Sequence, residues 1–313
     1  MTDLKFVVLE KRSALVISGG DAKIFLQSLI SNDITKVNER QAIYATLLTP
    51  QGKFLHDFFI GMHPRITGAY VIETEADRIS DLEKRLMMYK LRADVKFEPI
   101  HGDWGTLAAF GDVAAKALEL EPVEGAAVSH AHGVVYVDPR LAQLGLRAFG
   151  LLGAVKDLMA TAGFSETTDQ EYEDLRLSLG VPDGSRDILV EKSFPLECNL
   201  HDLHAIDYNK GCYVGQELTA RTHHRAKIRK RLFPVRSDGP VPETGLPVTF
   251  NGKDIGEMRS GAGQQGLALL RIEFMRAAQN EGRPLMVEGR AIIPIIPSWL
   301  DIDNDKSDVG STC

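Results

Sequence analysis

Apolar positions along this chain switch repeatedly between a period of two and a period of 3.6. Residues 5–18 are apolar and β-branched enough for one or two strands, and Gly19-Gly20-Asp21 stops them, with Asp21 placed to cap the helix that follows. Ile24, Phe25, Leu26, Leu29 and Ile30 then recur with the spacings of a helix face. Strands are predicted over 42–48 and 53–61. Between them Thr49-Pro50-Gln51-Gly52 has proline in second and glycine in fourth place, as a type I turn favours. A strand over 70–73, a helix over 76–89 with Ile79, Leu82 and Leu86 on one face, and a strand over 95–100 complete the run. This β-α-β-β-β-α-β order predicts antiparallel sheet with helices on one side, an α+β class.

A shorter run of the same kind follows: strand 107–110, helix 113–120, strands 134–137 and 145–149, helix 151–162. It has the form of a degenerate duplication. A helix over 170–179 ends at Gly180-Val181-Pro182, and 184–200 reads as loop. After Arg231 short strand candidates alternate with turn residues, Asn251-Gly252 being a strong hairpin signal, and a small β-barrel is predicted. The expected organisation is an α+β region over 1–230, in two subdomains with a boundary near 100, a β-barrel over 231–300, and an acidic, disordered tail over 301–313.

Composition narrows this picture modestly. Hydrophobic residues at 44% and charged ones at 25% describe an ordinary globular chain, and a net charge of −7 opposes generic nucleic-acid binding. Cys198, Cys212 and Cys313 form no CxxC pair, which suits a reducing compartment. No apolar run approaches ~18 residues and no signal-peptide pattern opens the chain, so a cytoplasmic protein without membrane association is expected.

The densest chemistry lies in Asn209-Lys210-Gly211-Cys212-Tyr213-Val214-Gly215-Gln216-Glu217. A thiol between two glycines, beside a lysine and just ahead of a helix, should hold its thiolate more readily than a free cysteine; a buried small residue at a tight turn is the plainer alternative. Glu217 and Arg221 form an i,i+4 pair in that helix. On the strand near 54–60, Asp57 shares a face with Leu55 and Phe59, while His56 points the other way. A carboxylate among apolar neighbours must reach water, be held by hydrogen bonds, or meet a ligand with N–H donors. The spacing Cys198-x2-His201-x2-His204 lacks the paired pattern of structural zinc sites, so no metal site is assigned. His223-His224-Arg225 with Lys227, Arg229, Lys230 and Arg231 is a basic cluster, read as a solvated face or as a site for an anionic ligand tail.

Taken together these motifs resemble the YgfZ family, folate-binding relatives of the glycine-cleavage T-protein. Lys210-Gly211-Cys212-Tyr213-Val214-Gly215-Gln216-Glu217 matches the family's KGCYxGQE pattern in full. Phe25-Leu26-Gln27-Ser28-Leu29 with Ser31-Asn32-Asp33-Ile34, the Leu47–Lys53 hairpin, Tyr89-Lys90-Leu91-Arg92 and Pro195-Leu196-Glu197 resemble its other conserved stretches. The resemblance implies T-protein-like α+β folate-binding subdomains around a central channel, a C-terminal barrel, and tetrahydrofolate as cofactor. It implies a role in assembling or repairing iron–sulfur clusters, with iron–sulfur client or assembly proteins as partners. The site residues it implies are Cys212 as the functional thiol and Lys210 beside it. Asp57 would meet the pterin, with Tyr89, Arg92, Glu197 and Arg225 as further folate contacts. The T-protein has an aspartate pair where this chain has His56-Asp57, which weighs against the rival reading of an aminomethyl transferase. A non-catalytic interaction scaffold is the third alternative.

Overall fold

A computed structural model describes residues 3–100, 102–225 and 228–302, the side chains of 222–225 excepted. The chain forms two compact units: one from 1–48, 55–172 and 203–214, the other from 49–54, 173–202 and the residues from 215 onward.

The first unit holds two sheets. In chain order its elements are β1 (Lys5–Val8), β2 (Arg12–Ser18), α1 (Ala22–Leu29), β3 (Ile43–Leu48), β4 (Phe54–Met62), β5 (Tyr70–Glu75), α2 (Ile79–Lys90), β6 (Lys96–Pro99) and β7 (Trp104–Phe110). Then come α3 (Ala114–Ala117), β8 (Ala127–His130), β9 (Gly133–Val137), β10 (Leu146–Leu151), α4 (Leu152–Thr161) and β11 (Ser165–Glu166). One sheet runs β3-β4-β5-β2-β6 and the other β11-β1-β7-β10-β9-β8. Read from the other end, the second sheet is β8-β9-β10-β7-β1-β11, its first five strands repeating the order of the first with β1 standing where β6 would. The duplication that residue similarity suggests only faintly is therefore plain in the topology.

The position of β1 departs from the simple reading of 5–18 as part of the first sheet. β1 pairs antiparallel with β7, Lys5 opposite Phe110 and Val8 opposite Leu107, and parallel with β11. The cause is packing: Phe6 is buried with Leu107, Ala109, Val135 and Phe164 in the core of the second sheet. Asp21 also differs from expectation. It offers α1 no side-chain cap; its carboxylate instead accepts the N–H of Asp94 at 2.8 Å, while Asp94 accepts that of Gly20 at 2.9 Å. Gly19 makes this closure possible, since at φ 113° a Cβ would sit 2.2 Å from the Asp94 carbonyl oxygen. The helix expected over 113–120 shrinks to α3, and β8 had no alternation strong enough to announce it.

The second unit contains α5 (Asp169–Leu179, beginning in the first unit), α6 (Gly184–Asp187), α7 (Gln216–Arg225), α8 (Ile272–Glu281) and six strands. The strands β12 (Lys230–Ser237), β13 (Pro247–Phe250), β14 (Lys253–Ala262), β15 (Gln265–Arg271), β16 (Leu285–Val287) and β17 (Arg290–Pro294) close into a barrel, β12-β15-β14-β13-β16-β17. Phe233, Val248, Phe250, Met258, Leu270 and Leu285 fill its interior. Asn251 and Gly252 both take positive φ, 50° and 74°, the conformation that an Asn-Gly hairpin turn requires. α8 lies where the sequence reading passed from strand to strand. Its apolar positions Ile272, Met275 and Ala278 are buried and Gly282 ends it at φ 62°, so the signal was present. The tail expected over 301–313 falls largely outside the described residues.

Candidate functional site

The loop bearing Cys212 is fastened to the end of α1. Lys210 Nζ donates to the carbonyl oxygens of Gln27 at 2.8 Å, Ile30 at 2.5 Å and Asn32 at 2.9 Å. The last carbonyls of a helix lack partners within it and carry its negative end, so an ammonium is the natural closure. Burial pulls the Lys210 ammonium down to about 8, against the opposing pull of Asp33 and Asp207. Its charge lies 5.0 Å from the centre of the buried Tyr213 ring. Further bonds lace the same two stretches together. Ser31 Oγ donates to Ala205 O, Asp207 N–H to Ser31 O, Lys36 pairs with Asp207, and Val214 N–H reaches Ser28 O at 3.3 Å. Two motifs some 180 positions apart in sequence thus form one structural piece. Cys212 is exposed on it. Lys210 is committed to the three carbonyls, so its evident work is to hold the loop. Gly215 takes φ 84° as expected of glycine, whereas a Cβ on Gly211 would meet only open space and nothing in the structure explains glycine there.

Asp57 is reached from this loop through hydrogen bonds. Asn32, whose carbonyl accepts from Lys210, donates its amide to Tyr44 O at 2.8 Å, and Tyr44 Oη donates to Asp57 Oδ2 at 2.7 Å. Asp57 and Tyr44 are both buried, and burial together with the facing carboxylate drives the Tyr44 hydroxyl well above its ordinary value. Strand alternation separates Asp57 from its neighbour. His56 faces α2, where Nε2 lies 2.8 Å from Asp81 Oδ2. Its pKa is pushed down to about 4 by burial first and by Arg78 next, with Asp81 opposing.

Beside Asp57 the structure holds a charged cluster that sequence reasoning missed. Glu73 on β5 accepts from Arg12 at 2.7 Å, from Arg147 at 2.5 and 3.1 Å, and from Tyr136 Oη at 3.1 Å. Burial would raise Glu73, yet Arg147 and Arg12 overcome it and hold the carboxyl at about 2. The guanidinium carbons of Arg147, Arg140 and Arg12 lie 3.9, 4.9 and 5.5 Å from the Phe59 ring centre, and Arg140 is itself clamped by Asp138 at 2.7 Å. A signal existed: Arg147 and Glu73 each interrupt apolar strands, the argument already made for Asp57.

The remaining predicted residues are carried by other elements. Tyr89 and Arg92 are exposed at and beyond the end of α2. Glu197 is partly buried in a short turn, Pro195–Cys198, where burial raises its carboxyl against the pull of Lys230. Arg221 donates to Glu217 at 2.6 Å on an exposed face. Arg225 ends α7, and its side chain lies outside the described residues. Cys198 is buried, and burial pushes its thiol up to about 12, the opposite of an activated nucleophile. Among the described residues no helix is long and apolar enough to cross a membrane.

Comparison with known proteins adds to this geometry. Residues 229–302 match the family model described as the C-terminal β-barrel domain of CAF17. The mitochondrial iron–sulfur cluster assembly factor IBA57 of Mus musculus is 34% identical, covering 93% of this chain and 84% of its own length. That of Homo sapiens is 33% identical over the same shares. The crystal structure of glycine cleavage system aminomethyltransferase T from Bartonella henselae has a TM-score of 0.75 at 15% identity, covering 96% of this chain and 87% of that one. The T-protein-like α+β fold with its C-terminal barrel is thereby shown. The relatives carry the name IBA57, so the YgfZ resemblance holds in its iron–sulfur side and is corrected in its family name. They are mitochondrial by name, which overturns the expectation of a cytoplasmic protein.

Proposed function

Because this chain belongs to the IBA57 family of iron–sulfur cluster assembly factors, we propose that it supports assembly or repair of clusters in client enzymes through the thiol of Cys212, with tetrahydrofolate as a bound cofactor. The observation that carries this reading is an exposed thiol on a loop pinned at three points by Lys210. A thiolate is suited to metal ligation and to reversible attack, and one thiolate cannot hold a cluster. The cluster is therefore cargo, and its other ligands come from the partner that delivers or receives it.

Folate fits the chemistry of Asp57. Its buried carboxylate accepts a hydrogen bond from the Tyr44 hydroxyl on Oδ2, and it is an acceptor of the kind that pterin N–H groups pair with. In this reading Asp57 holds the pterin, Arg92 and Arg225 offer positive charge for the glutamate tail, and Tyr89 and Glu197 are the other contacts. Nothing favours aminomethyl transfer: the residue beside Asp57 is His56, turned to the opposite face of β4 and bound to Asp81.

The test is complementation in cells lacking the native protein, reading the activity of iron–sulfur enzymes. Wild type restores it and Cys212→Ala does not. Full rescue by Cys212→Ala would end the thiol role.

A further inference from the structure

Against the second sheet, an open groove of about 340 Å³ runs between the β8–β9 turn and α4. Ala154, Val155 and Leu158 of α4 line one side, and Ala131 and Gly133 line the other. The volume lies at the small end of the range for ligand sites and suffices for a body the size of one aromatic ring.

Two polar groups in this apolar lining lack an explanation in the fold. His130 lies two residues past Val128, on the face of β8 that packs on the core of the second sheet. Its Nε2 is buried and has no hydrogen-bond partner among the described residues. An unpaired buried polar atom is costly, and an apolar side chain here would avoid the cost. Asp157 also lines the groove, but is exposed. Among the described residues no lysine or arginine lines it, and the neighbouring Lys156 pairs with Glu166 at 2.7 Å. Thr161 has its hydroxyl engaged, donating to Asp157 O at 2.8 Å.

Both walls are already held in place. Arg65 Nε donates to Ala131 O at 3.1 Å, its Nη2 contacts His132 Nδ1, and its guanidinium lies 5.9 Å from the Trp104 ring centre. Leu151 N–H donates to His132 O at 2.9 Å, and Val155 and Met159 anchor α4 in the core. A site with ordered walls gives up little freedom when it is filled.

We infer that this groove binds a small organic amine: an apolar ring with a hydroxyl at one end and an ammonium at the other, as in tyramine. The ring fills the apolar groove, the hydroxyl meets the buried His130 Nε2, and the ammonium pairs with the exposed Asp157. A hydroxyl both donates and accepts, so it satisfies either tautomer of the imidazole. An acid of the same shape would bring a second negative charge to Asp157. The site shares no residue with the Cys212 loop or the Asp57 network, so it stands apart from the function proposed above.

The test is calorimetric titration of the full-length protein with tyramine, phenethylamine and para-hydroxyphenylpropionate. Tyramine should bind about tenfold more tightly than phenethylamine, which lacks the hydroxyl, and at least about tenfold more tightly than the acid. His130→Phe should remove the advantage of tyramine over phenethylamine. Asp157→Asn, at an exposed position that folding tolerates, should remove that of the amine over the acid. Leu158→Trp fills the groove and should abolish binding, with Tm recorded for each variant. Equal affinity for the probes, tyramine binding that survives Leu158→Trp, or no tyramine binding at millimolar concentration would overturn the site.

Discussion

The Tyr44 hydroxyl donates to Asp57 Oδ2 across 2.7 Å, with both side chains shut away from water. Tyr44→Phe keeps the ring and removes the donor. A buried carboxylate that loses a donor costs about 1–3 kcal/mol, measurable as a drop in urea-unfolding free energy. Because Asp57 is the proposed pterin acceptor, saturating tetrahydrofolate should stabilise the wild type clearly and Asp57→Ala little or not at all. Equal thermal shifts in the two proteins would remove Asp57 from the folate site.

Cys212 and Lys210 should separate function from structure. Cys212 is exposed, so Cys212→Ala should change stability by less than about 0.5 kcal/mol while abolishing cluster-enzyme rescue. Lys210→Met removes three hydrogen bonds from an ammonium to carbonyls in and just beyond the last turn of α1 and should cost about 2–4 kcal/mol. Hydrogen exchange should then rise at the amides of Val214 and Asp207, which bond to Ser28 and Ser31. Unchanged exchange there would mean that Lys210 is not what holds the loop.

His56 should make the protein acid-sensitive in a defined window. Its pKa is about 4 in the fold against an ordinary 6.5, so between those values the unfolded chain binds the extra proton. Stability is complete above pH 6.5, falls as pH drops toward 4, and loses up to about 3 kcal/mol in all. His56→Gln, which keeps a donor toward Asp81, should flatten that slope in unfolding curves taken from pH 7 to 4.5.

Glu73 acts lower on the scale. Held at about 2 against an ordinary 4.5, it contributes stability above pH 4.5 that is lost as pH falls toward 2, on the order of 3 kcal/mol. Glu73→Gln removes the buried carboxylate that Arg147 and Arg12 share, leaving Arg147 the longer pairing with Asp138 at 3.7 Å, and should destabilise by about 3 kcal/mol at neutral pH. The double variant Glu73→Gln, Arg147→Met should recover part of this, the coupling being read from a double-mutant cycle.

What could be read from residues alone follows the range of the forces involved. The turn at Asn251-Gly252, the stop at Gly180 and the opposite facing of His56 and Asp57 are set by local backbone geometry, and each was legible. The role of Lys210 was not, because its acceptors Gln27, Ile30 and Asn32 lie far away in sequence and are backbone atoms that no side-chain pattern reveals. The Glu73 cluster escaped for a related reason. Its members come from β2, β5, β9 and β10 of two sheets, and only their meeting turns isolated charges into a network. The KGCYxGQE match pointed to the Cys212 loop without saying what fixes it.

β1 has a consequence for how the chain matures. Its partners are β7 and β11, so β1 has no sheet to join until residues beyond 104 have been made. During that interval Phe6 and Val7 remain available for mispairing, and closure across so long a separation is slow. A chaperone holding the emerging chain, or slow elongation before β7, would act at this step. Deleting β1 would bare the edge of β7 and convert a finished sheet into a template for aggregation.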